Sequence, residues 1–246
     1  MEWRIEQVES TGSTNEDLME AGRRGEAAGL VRLANLQTNG HGRLGRQWIS
    51  PAGRGLYCSV LLRPALSPED AGLLSFCAAN AMAEAVSSFG LPAGIKWPND
   101  IVYEGKKICG ILSVCDVSGE KLSFAVVGSG LNLLKGSYPE ELTDRAACLE
   151  EFGIMPPREE ILRRYLTALG REIADLESRG FEDVRQRYEK RCVLPGRTVR
   201  VTDAQATEGI VRGIGSRGEL LLETAEGTAL EVITGDVSVR GVKGYV

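Results

Sequence analysis

Apolar residues recur at intervals of three or four positions in several segments, which is the spacing of an amphipathic helix. The longest such stripe lies in residues 158–178, and a shorter one follows in residues 181–191. Residues 67–90 open with Ser-Pro-Glu-Asp and close with a glycine, which predicts a third helix. A fourth helix is predicted to start at Thr14, whose hydroxyl we expect to cap it, and to end at the glycines of residues 22–25.

Strands are predicted from continuous apolar runs and from the turn residues between them. Residues 30–35 and 55–62 are such runs. Between residues 95 and 133, short β-rich runs are separated by Glu104-Gly105 and Ser118-Gly119, a pattern typical of an antiparallel meander. The mixture of strands and helices predicts an α+β protein.

The last part of the chain has a different character. Leu194-Pro195-Gly196 marks a boundary, after which only short β-like runs occur. These runs span residues 198–202, 208–214, 219–224, 228–233 and 237–240. Many short strands with glycine or aspartate in the turns favour a small β-barrel over a sandwich. We therefore expect a main domain at residues 1–192 and a small β domain at residues 193–246.

Composition narrows the class of protein only a little. The chain has 246 residues, is 43% hydrophobic and 26% charged, and carries a net charge of −5. These values are ordinary for a globular protein and argue against a surface built for non-specific nucleic-acid binding. The first residues show no signal peptide, and no run is long and apolar enough for a membrane span. The six cysteines include no C-x-x-C pair, so we expect reduced thiols in a cytoplasmic protein.

The only histidine, His41, lies in a glycine-rich segment that matches G-x-G-x-x-G at residues 40–45. A dinucleotide site requires a helix directly after this pattern and an acidic residue about 20 positions later. Here Pro51 and Gly53 prevent a helix, and position 65 is alanine, so the segment argues against NAD as a ligand. Glycines flanked by arginines still favour a loop that wraps an anion, although a flexible surface loop with solvated arginines explains the same residues.

Two further segments combine polar residues that suit a binding site. Residues 96–100 read KWPND, placing a cation, an aromatic ring, an amide and an acid together, and Lys107 begins a predicted strand shortly afterwards. Residues 127–132 end a strand with two glycines and an asparagine. Each feature also has a purely structural interpretation. Residues 96–100 can be a tight turn, Lys107 can lie at a solvated hairpin end, and residues 127–132 can form a strand bulge.

Taken together and in this order, these segments resemble the biotin protein ligase family. The resemblance covers nearly the whole chain and rests on Ser13-Thr14-Asn15, Gln37-Thr38-x-Gly40-x-Gly42-Arg43-x-Gly45-Arg46-x-Trp48, Lys96-Trp97-Pro98-Asn99-Asp100, Lys107-Ile108-x-Gly110-Ile111-Leu112 and Gly128-x-Gly130-Leu131-Asn132. It implies a mixed or antiparallel sheet with helices, similar to class II synthetases, and an SH3-like barrel in residues 193–246. It also implies the form without an N-terminal DNA-binding winged helix.

The resemblance implies a reaction in two steps: biotin and MgATP give biotinyl-5′-AMP and pyrophosphate, and a lysine of a biotin carboxyl carrier domain then takes the biotinyl group. The implied catalytic residues are Lys107, Arg43, Arg46 and Asp100. The implied biotin-binding residues are Ser13, Thr14, Asn15, Gln37, Gly40, His41, Lys107, Gly110 and Gly128. The implied ATP-binding residues are Arg43, Arg46, Trp48, Asn99, Asn132 and Arg240. No certain metal ligand is implied, although Asp100 is expected to organise either the metal or the attacking amine, and a homodimer is expected without DNA or membrane partners.

The chain departs from the family motif at one point, and several alternative functions stay open. The family commonly has Ala-Gly-Arg where this chain has Asn39-Gly40-His41, so the role of an arginine side chain there is in question. A lipoate ligase would share the fold, but the loop ending in Trp48 and the KWPND segment favour biotin. A non-enzymatic sensor of biotin or nucleotide and a pure interaction module are the remaining alternatives, and turnover of ATP would exclude both.

Overall fold

The computed structural model describes residues 1–202, 207–233, 238–241 and 245–246, with side chains undescribed at residues 238–240. A seven-stranded sheet has the order β1-β2-β3-β7-β6-β5-β4. Its strands are β1 Arg4–Thr11, β2 Leu30–Gln37, β3 Gly55–Leu62, β4 Gly94–Lys96, β5 Asp100–Tyr103, β6 Lys106–Ser118 and β7 Lys121–Asn132. β1 and β2 pair in parallel and all other neighbours are antiparallel, so the predicted meander of residues 95–133 is confirmed.

Helices cover both faces of this sheet. They are α1 Thr14–Arg23, α2 Leu74–Ser87, α3 Arg158–Arg179 and α4 Phe181–Glu189. α1 lies on one face, where Leu18 joins a small apolar cluster with Leu61 of β3. α2, α3 and α4 lie on the other face over the main core, which takes in Val60 and Leu62 of β3. β3 is therefore buried on both faces, which explains its uninterrupted apolar sequence.

The C-terminal strands form a separate sheet with the order β11-β10-β9-β8-β12. Its strands are β8 Thr198–Thr202, β9 Glu208–Ile214, β10 Leu220–Glu223, β11 Ala229–Val232 and β12 Ser238–Gly241. β11 and β12 lie at opposite ends, and no ladder joins them within the described ranges. The part of the chain described here is therefore an open antiparallel sheet rather than the closed barrel that the strand pattern predicts. Alternating short strands predict a sheet but do not by themselves specify closure, which requires the two end strands to pair with each other.

The C-terminal sheet is joined to the rest of the chain by hydrogen bonds to the segment after β4 and to α4. Trp97 Nε1 donates to the carbonyl oxygen of Gly218 at 3.0 Å. The main-chain nitrogen of Ile214 donates to Glu189 Oε1 at 3.0 Å. Buried residues of β8, β9 and β10, including Val199, belong to the same apolar core as α2 and α3.

Two local predictions are corrected. The N-cap of α1 is Ser13, and Thr14 is the first helical residue, with no side-chain cap. Strand β1 was not predicted, because its sequence RIEQVEST alternates polar and apolar residues weakly and exposes Ile5. The 67–90 segment begins as a 3-10 turn at Glu69–Leu73 before α2.

None of the described helices is long and apolar enough to cross a membrane.

Candidate functional site

A cavity of about 340 Å³ lies above the main sheet, and almost all of the sequence-predicted site residues line it. The predicted residues in its wall are Ser13, Thr14, Asn15, Gln37, His41, Arg43, Arg46, Trp48, Asn99, Asp100, Lys107, Gly110, Gly128 and Asn132. Gly40 does not line the cavity. A Cβ added at Gly40 would come within 2.4 Å of the carbonyl oxygen of Trp48. Arg240 is on β12, and its side chain lies outside the described residues.

Strand β7 gives the cavity its long axis. Residues alternate between the faces of a strand, so Gly128, Gly130 and Asn132 point to the same side. Ser129 points to the opposite face, where its hydroxyl lies 2.9 Å from Tyr165 of α3. At ~3.4 Å per residue, the distance from Gly128 to Asn132 is about 14 Å, long enough for an extended ligand with two different ends.

Glycines make the floor of the cavity flat enough for side chains to lie on the backbone. A Cβ at Gly128 would come within 2.1 Å of Asn15 Oδ1, and one at Gly130 within 2.3 Å of Trp48 Nε1. A Cβ at Gly110, which pairs with Gly130 across the ladder, would come within 3.0 Å of both the Trp48 ring and Lys107 Nζ. The glycines of β6 and β7 therefore create the space that Asn15 and Trp48 occupy.

The end near Gly128 is a neutral polar network. Gln37 Oε1 accepts from the main-chain nitrogen of Thr14 at 2.9 Å and from its hydroxyl at 3.0 Å. Ser59, which sequence analysis missed, lies on β3 with its hydroxyl 2.6 Å from both Thr14 Oγ1 and Asn15 Oδ1. Gln37 Nε2 donates to Ser50 at 2.8 Å. This end presents uncharged donors and acceptors held in fixed positions, which suits a neutral polar ring.

The middle of the cavity holds the charged groups. Lys107 Nζ lies 2.5 Å from Asp100 Oδ1 and 5.1 Å from the centroid of the Trp48 ring. Tyr245 donates a short hydrogen bond to the other oxygen of Asp100. Burial by itself raises the pKa of Asp100, but the ion pair with Lys107 and the hydrogen bonds from Lys107 and Tyr245 bring that pKa below its usual value. Asp100 is therefore a carboxylate at neutral pH.

Positive charge exceeds negative charge around the cavity. The arginines and lysines in its wall are Arg43, Arg46, Lys96, Lys107 and Arg145, against one carboxylate, Asp100. Burial lowers the pKa of Arg43, an effect that Asp100 opposes and Arg46 reinforces. An arginine keeps its charge at neutral pH even so. The cavity is therefore suited to an anion with several charged oxygens.

The glycine-rich loop forms one edge of the cavity without a following helix. Only a short 3-10 turn is present at Arg43–Gly45, where Leu44 has a φ of 58°. An isolated bridge joins His41 to Gln47 and closes the loop on itself. His41 Nε2 lies 2.9 Å from Glu16 Oε1 of α1 and 3.2 Å from Asn39 Nδ2. The absence of a helix after this loop agrees with the argument against a dinucleotide site.

The asparagines and the indole supply further polar atoms at the end near Asn132. Asn132 Nδ2 donates to the carbonyl oxygen of Ala147 at 3.1 Å, and Asn99 Nδ2 donates to that of Ile111. Asn132 Oδ1 and Trp48 Nε1 are buried, and neither has a hydrogen-bond partner in the described part of the chain. Buried polar atoms of this kind are normally satisfied in a folded protein, so both are positioned to meet a ligand.

Two parts of the wall escaped sequence analysis. Residues 137–146 reach the cavity because the main chain of residues 145–147 runs beside Lys107, to which it is hydrogen bonded. In this segment Ser137 is buried with a hydroxyl that has no partner among the described residues. Tyr245 belongs to the last two residues of the chain. Neither part contains a motif or a periodic pattern, so the sequence offered no signal for either.

Several known proteins that are similar to this chain are ligases. A solved structure of the biotin protein ligase from Aquifex aeolicus, in complex with biotin and ATP, superposes with a TM-score of 0.83 at 29% identity and covers 97% of this chain and 99% of its own. The biotin–[acetyl-CoA-carboxylase] ligase of Mycobacterium tuberculosis is 35% identical over 245 residues, which is 96% of this chain and 89% of that protein. The bifunctional ligase/repressor BirA of Bacillus subtilis is 30% identical over 220 residues, covering 87% and 68% of the two chains.

Two family models match the chain. The biotin/lipoate A/B protein ligase family matches residues 7–132, and the biotin protein ligase C-terminal domain matches residues 196–240. The chain belongs to the biotin/lipoate A/B protein ligase family. The α+β fold class with a C-terminal β domain and the resemblance predicted from the sequence motifs are thereby confirmed, although the described C-terminal strands form an open sheet and no closed barrel.

Proposed function

We propose that the chain is an ATP-dependent biotin protein ligase. The observation that carries this proposal is the order in which three kinds of side chain occur along β7. A neutral polar network lies at Gly128, a lysine and an indole lie at Gly130, and amide groups lie at Asn132. Biotin combines a neutral cyclic urea with a carboxylate, and ATP supplies the phosphates and the base. One extended ligand, biotinyl-5′-AMP, therefore matches the whole cavity.

In the proposed first step, a carboxylate oxygen of biotin attacks the α-phosphorus of ATP, and pyrophosphate leaves. Lys107 holds the biotin carboxylate and the α-phosphate, while Arg43 and Arg46 bind the phosphates. Such a transfer depends on positioning and charge neutralisation rather than on a protein nucleophile. A chain with only one histidine can therefore perform it.

The binding roles follow from the position of each residue along the axis. Ser13, Thr14, Asn15 and Gln37 take the ureido ring, and Gly128 leaves room for the side chain of Asn15 beside it. At the other end, Trp48 stacks on adenine, and Asn99 and Asn132 bind the nucleotide. The unpartnered Oδ1 of Asn132 supports this assignment. Gly40, His41, Gly110 and Arg240 keep the roles that the family resemblance implies, as proposals.

Magnesium is proposed only as the counter-ion that accompanies ATP. No group of three potential metal-binding side chains occurs in residues 1–202, 207–233, 238–241 and 245–246. The single carboxylate of the wall, Asp100, has one oxygen paired with Lys107 and the other with Tyr245. This arrangement does not fit a resident metal ion, and we assign Asp100 to the orientation of Lys107.

In the proposed second step, the ε-amine of a lysine on a biotin carboxyl carrier domain attacks the carbonyl carbon of biotinyl-5′-AMP. An amide forms, AMP leaves and the amine loses a proton. The relatives named as biotin–[acetyl-CoA-carboxylase] ligases support a carrier of this kind. We also propose that residues 1–192 contain the catalytic domain and that residues 193–246 form the C-terminal domain.

The test is transfer of biotin to a carrier. The protein is incubated with biotin, MgATP and a purified biotin carboxyl carrier domain, and intact-mass spectrometry counts the added groups. We expect one biotinyl group on the carrier and none on a carrier whose target lysine is replaced by arginine. An unmodified carrier, in the presence of demonstrated adenylate formation, would contradict the second step.

A further inference from the structure

Tyr245, the next-to-last residue of the chain, lies in the wall of the ligase cavity, and Val246 follows it. Val246 packs against the main apolar core, and its carbonyl oxygen lies 3.4 Å from Arg197 Nη1. Tyr245 lines the cavity beside residues 96–100. The chain end is therefore attached to the main domain at the point where the charged groups of the site meet.

Tyr245 contacts two charged residues of the site with three different groups. Its carbonyl oxygen accepts a hydrogen bond from Lys96 Nζ at 2.5 Å. The centroid of its ring lies 3.5 Å from the same nitrogen. Its hydroxyl donates to Asp100 Oδ2, on the side of the carboxylate away from Lys107.

These contacts restrict the side chains of Lys96 and Asp100, which could otherwise adopt several conformations. Lys96 is 1% exposed, and a buried ammonium requires an acceptor and benefits from an aromatic face. The carboxylate of Asp100 is held at both oxygens, by Lys107 and by Tyr245, so its rotation is restricted. Because Lys107 donates to the same carboxylate, the position of its ammonium depends on the position of Asp100.

We propose that Tyr245 is a positioning residue of the ligase reaction, which acts through Asp100 to hold Lys107 where the substrate carboxylate and α-phosphate meet. The proposal rests on the proposed function and adds a residue from the C-terminal end of the chain to its site. By sharing the charge of Asp100, the hydroxyl of Tyr245 also leaves the Lys107 ammonium less fully neutralised and thus available to an anionic substrate.

The test compares Tyr245→Phe with wild type in biotin-dependent ATP–pyrophosphate exchange. The substitution removes only the hydroxyl and leaves the ring and carbonyl that contact Lys96. We expect kcat to fall about 10-fold, less than the roughly 100-fold that a misplacement of about 1 Å can cause, with little change in the KM for biotin. Tyr103→Phe is the matched control: Tyr103 is on the same strand as Asp100, packs on Phe152 and does not line the cavity.

A double-mutant cycle identifies the route of the effect. In an Asp100→Asn background, Tyr245→Phe should change kcat less than about 2-fold, because the carboxylate through which the hydroxyl acts is gone. An undiminished effect in that background, or a Tyr245→Phe enzyme as active as the Tyr103→Phe control, would overturn the inference.

A second readout separates this inference from the proposed function. Urea unfolding midpoints of the same four proteins measure the coupling of Tyr245 to Asp100 without any need for turnover. We expect the two substitutions to be non-additive, and additive midpoints would count against the contact. If the wild-type protein shows no exchange, the proposed function fails, and the unfolding cycle alone then decides on Tyr245.

Discussion

At the scale of single residues, the proposed function gives Lys107 a part in both substrate recognition and chemistry. Its ammonium lies between the carboxylate of Asp100 and the face of Trp48, over a glycine floor. A lysine in this setting can donate to an incoming carboxylate and a phosphate without moving far. This is the kind of preorganised charge that stabilises a transition state in which negative charge is concentrated.

Replacement of this lysine is the most direct test of its role. We predict that Lys107→Ala reduces adenylate formation about 100-fold or more, because a positioned charge is lost from the reacting centre. The measurement is the rate of pyrophosphate exchange, with circular dichroism to verify the fold. Lys106→Ala is the matched control, since Lys106 is the neighbouring residue on β6 and does not line the cavity. A Lys107→Ala enzyme with more than half of the wild-type rate would contradict the assignment.

Sequence motifs predicted most residues of the wall, because each motif places a rare combination of side chains beside glycines that permit close approach. They did not predict how the residues contact one another. Thr14, predicted to cap a helix, instead donates to Gln37 across the cavity. Ser59 was missed because a serine within the apolar run of β3 has no pattern that marks it as a partner of Asn15. Such contacts depend on the fold and not on spacing along the chain.

At the scale of elements, the proposed function makes β6 and β7 a template for the ligand. Gly110 of β6 lies opposite Gly130 of β7, and Gly128 lies opposite Leu112. The consequence is a strip of bare backbone on which Asn15 and Trp48 rest. Glycine is needed there for the space it leaves rather than for an unusual backbone conformation, because none of these three glycines has a positive φ.

This template predicts the effect of a single added methyl group. We expect Gly130→Ala to displace Trp48, since a Cβ there would lie 2.3 Å from the indole nitrogen. The KM for ATP should then rise about 10-fold or more, because base–aromatic stacking contributes roughly 1–3 kcal/mol. Gly72→Ala serves as the control, since no atom lies within 4 Å of the added carbon and Gly72 is outside the ligase cavity. An unchanged KM for ATP in Gly130→Ala would contradict the placement of adenine on Trp48.

The elements themselves were predictable where the pattern was strong. β3 has the predicted bounds, and α3 and α4 follow the predicted apolar stripes, because each buries a continuous apolar surface. β1 and residues 137–146 were not predicted. β1 is a half-exposed edge strand, and residues 137–146 gain their position from main-chain bonds to β6 rather than from their own side chains.

At the scale of the whole molecule, the C-terminal part of the chain contacts residues 96 and 97 at two points, and Tyr245 lines the ligase cavity. Trp97 donates to Gly218, and the neighbouring Lys96 donates to Tyr245. These contacts join residues 121 and 149 positions apart in sequence. No local pattern could predict such pairs, because they arise only once both sheets have formed. They show that the segment KWPND both lines the cavity and contacts the C-terminal part of the chain.

The central claim is that this cavity activates biotin with ATP, and ATP–pyrophosphate exchange tests it most directly. The purified protein is assayed with biotin, with lipoate and with neither acid. The polar network around Thr14 and Gln37 predicts exchange with biotin and only a background rate in the other two reactions. Exchange with lipoate in place of biotin would move the chain to the lipoate branch of its family, and no exchange with either acid in a folded protein would contradict the proposed ligase activity.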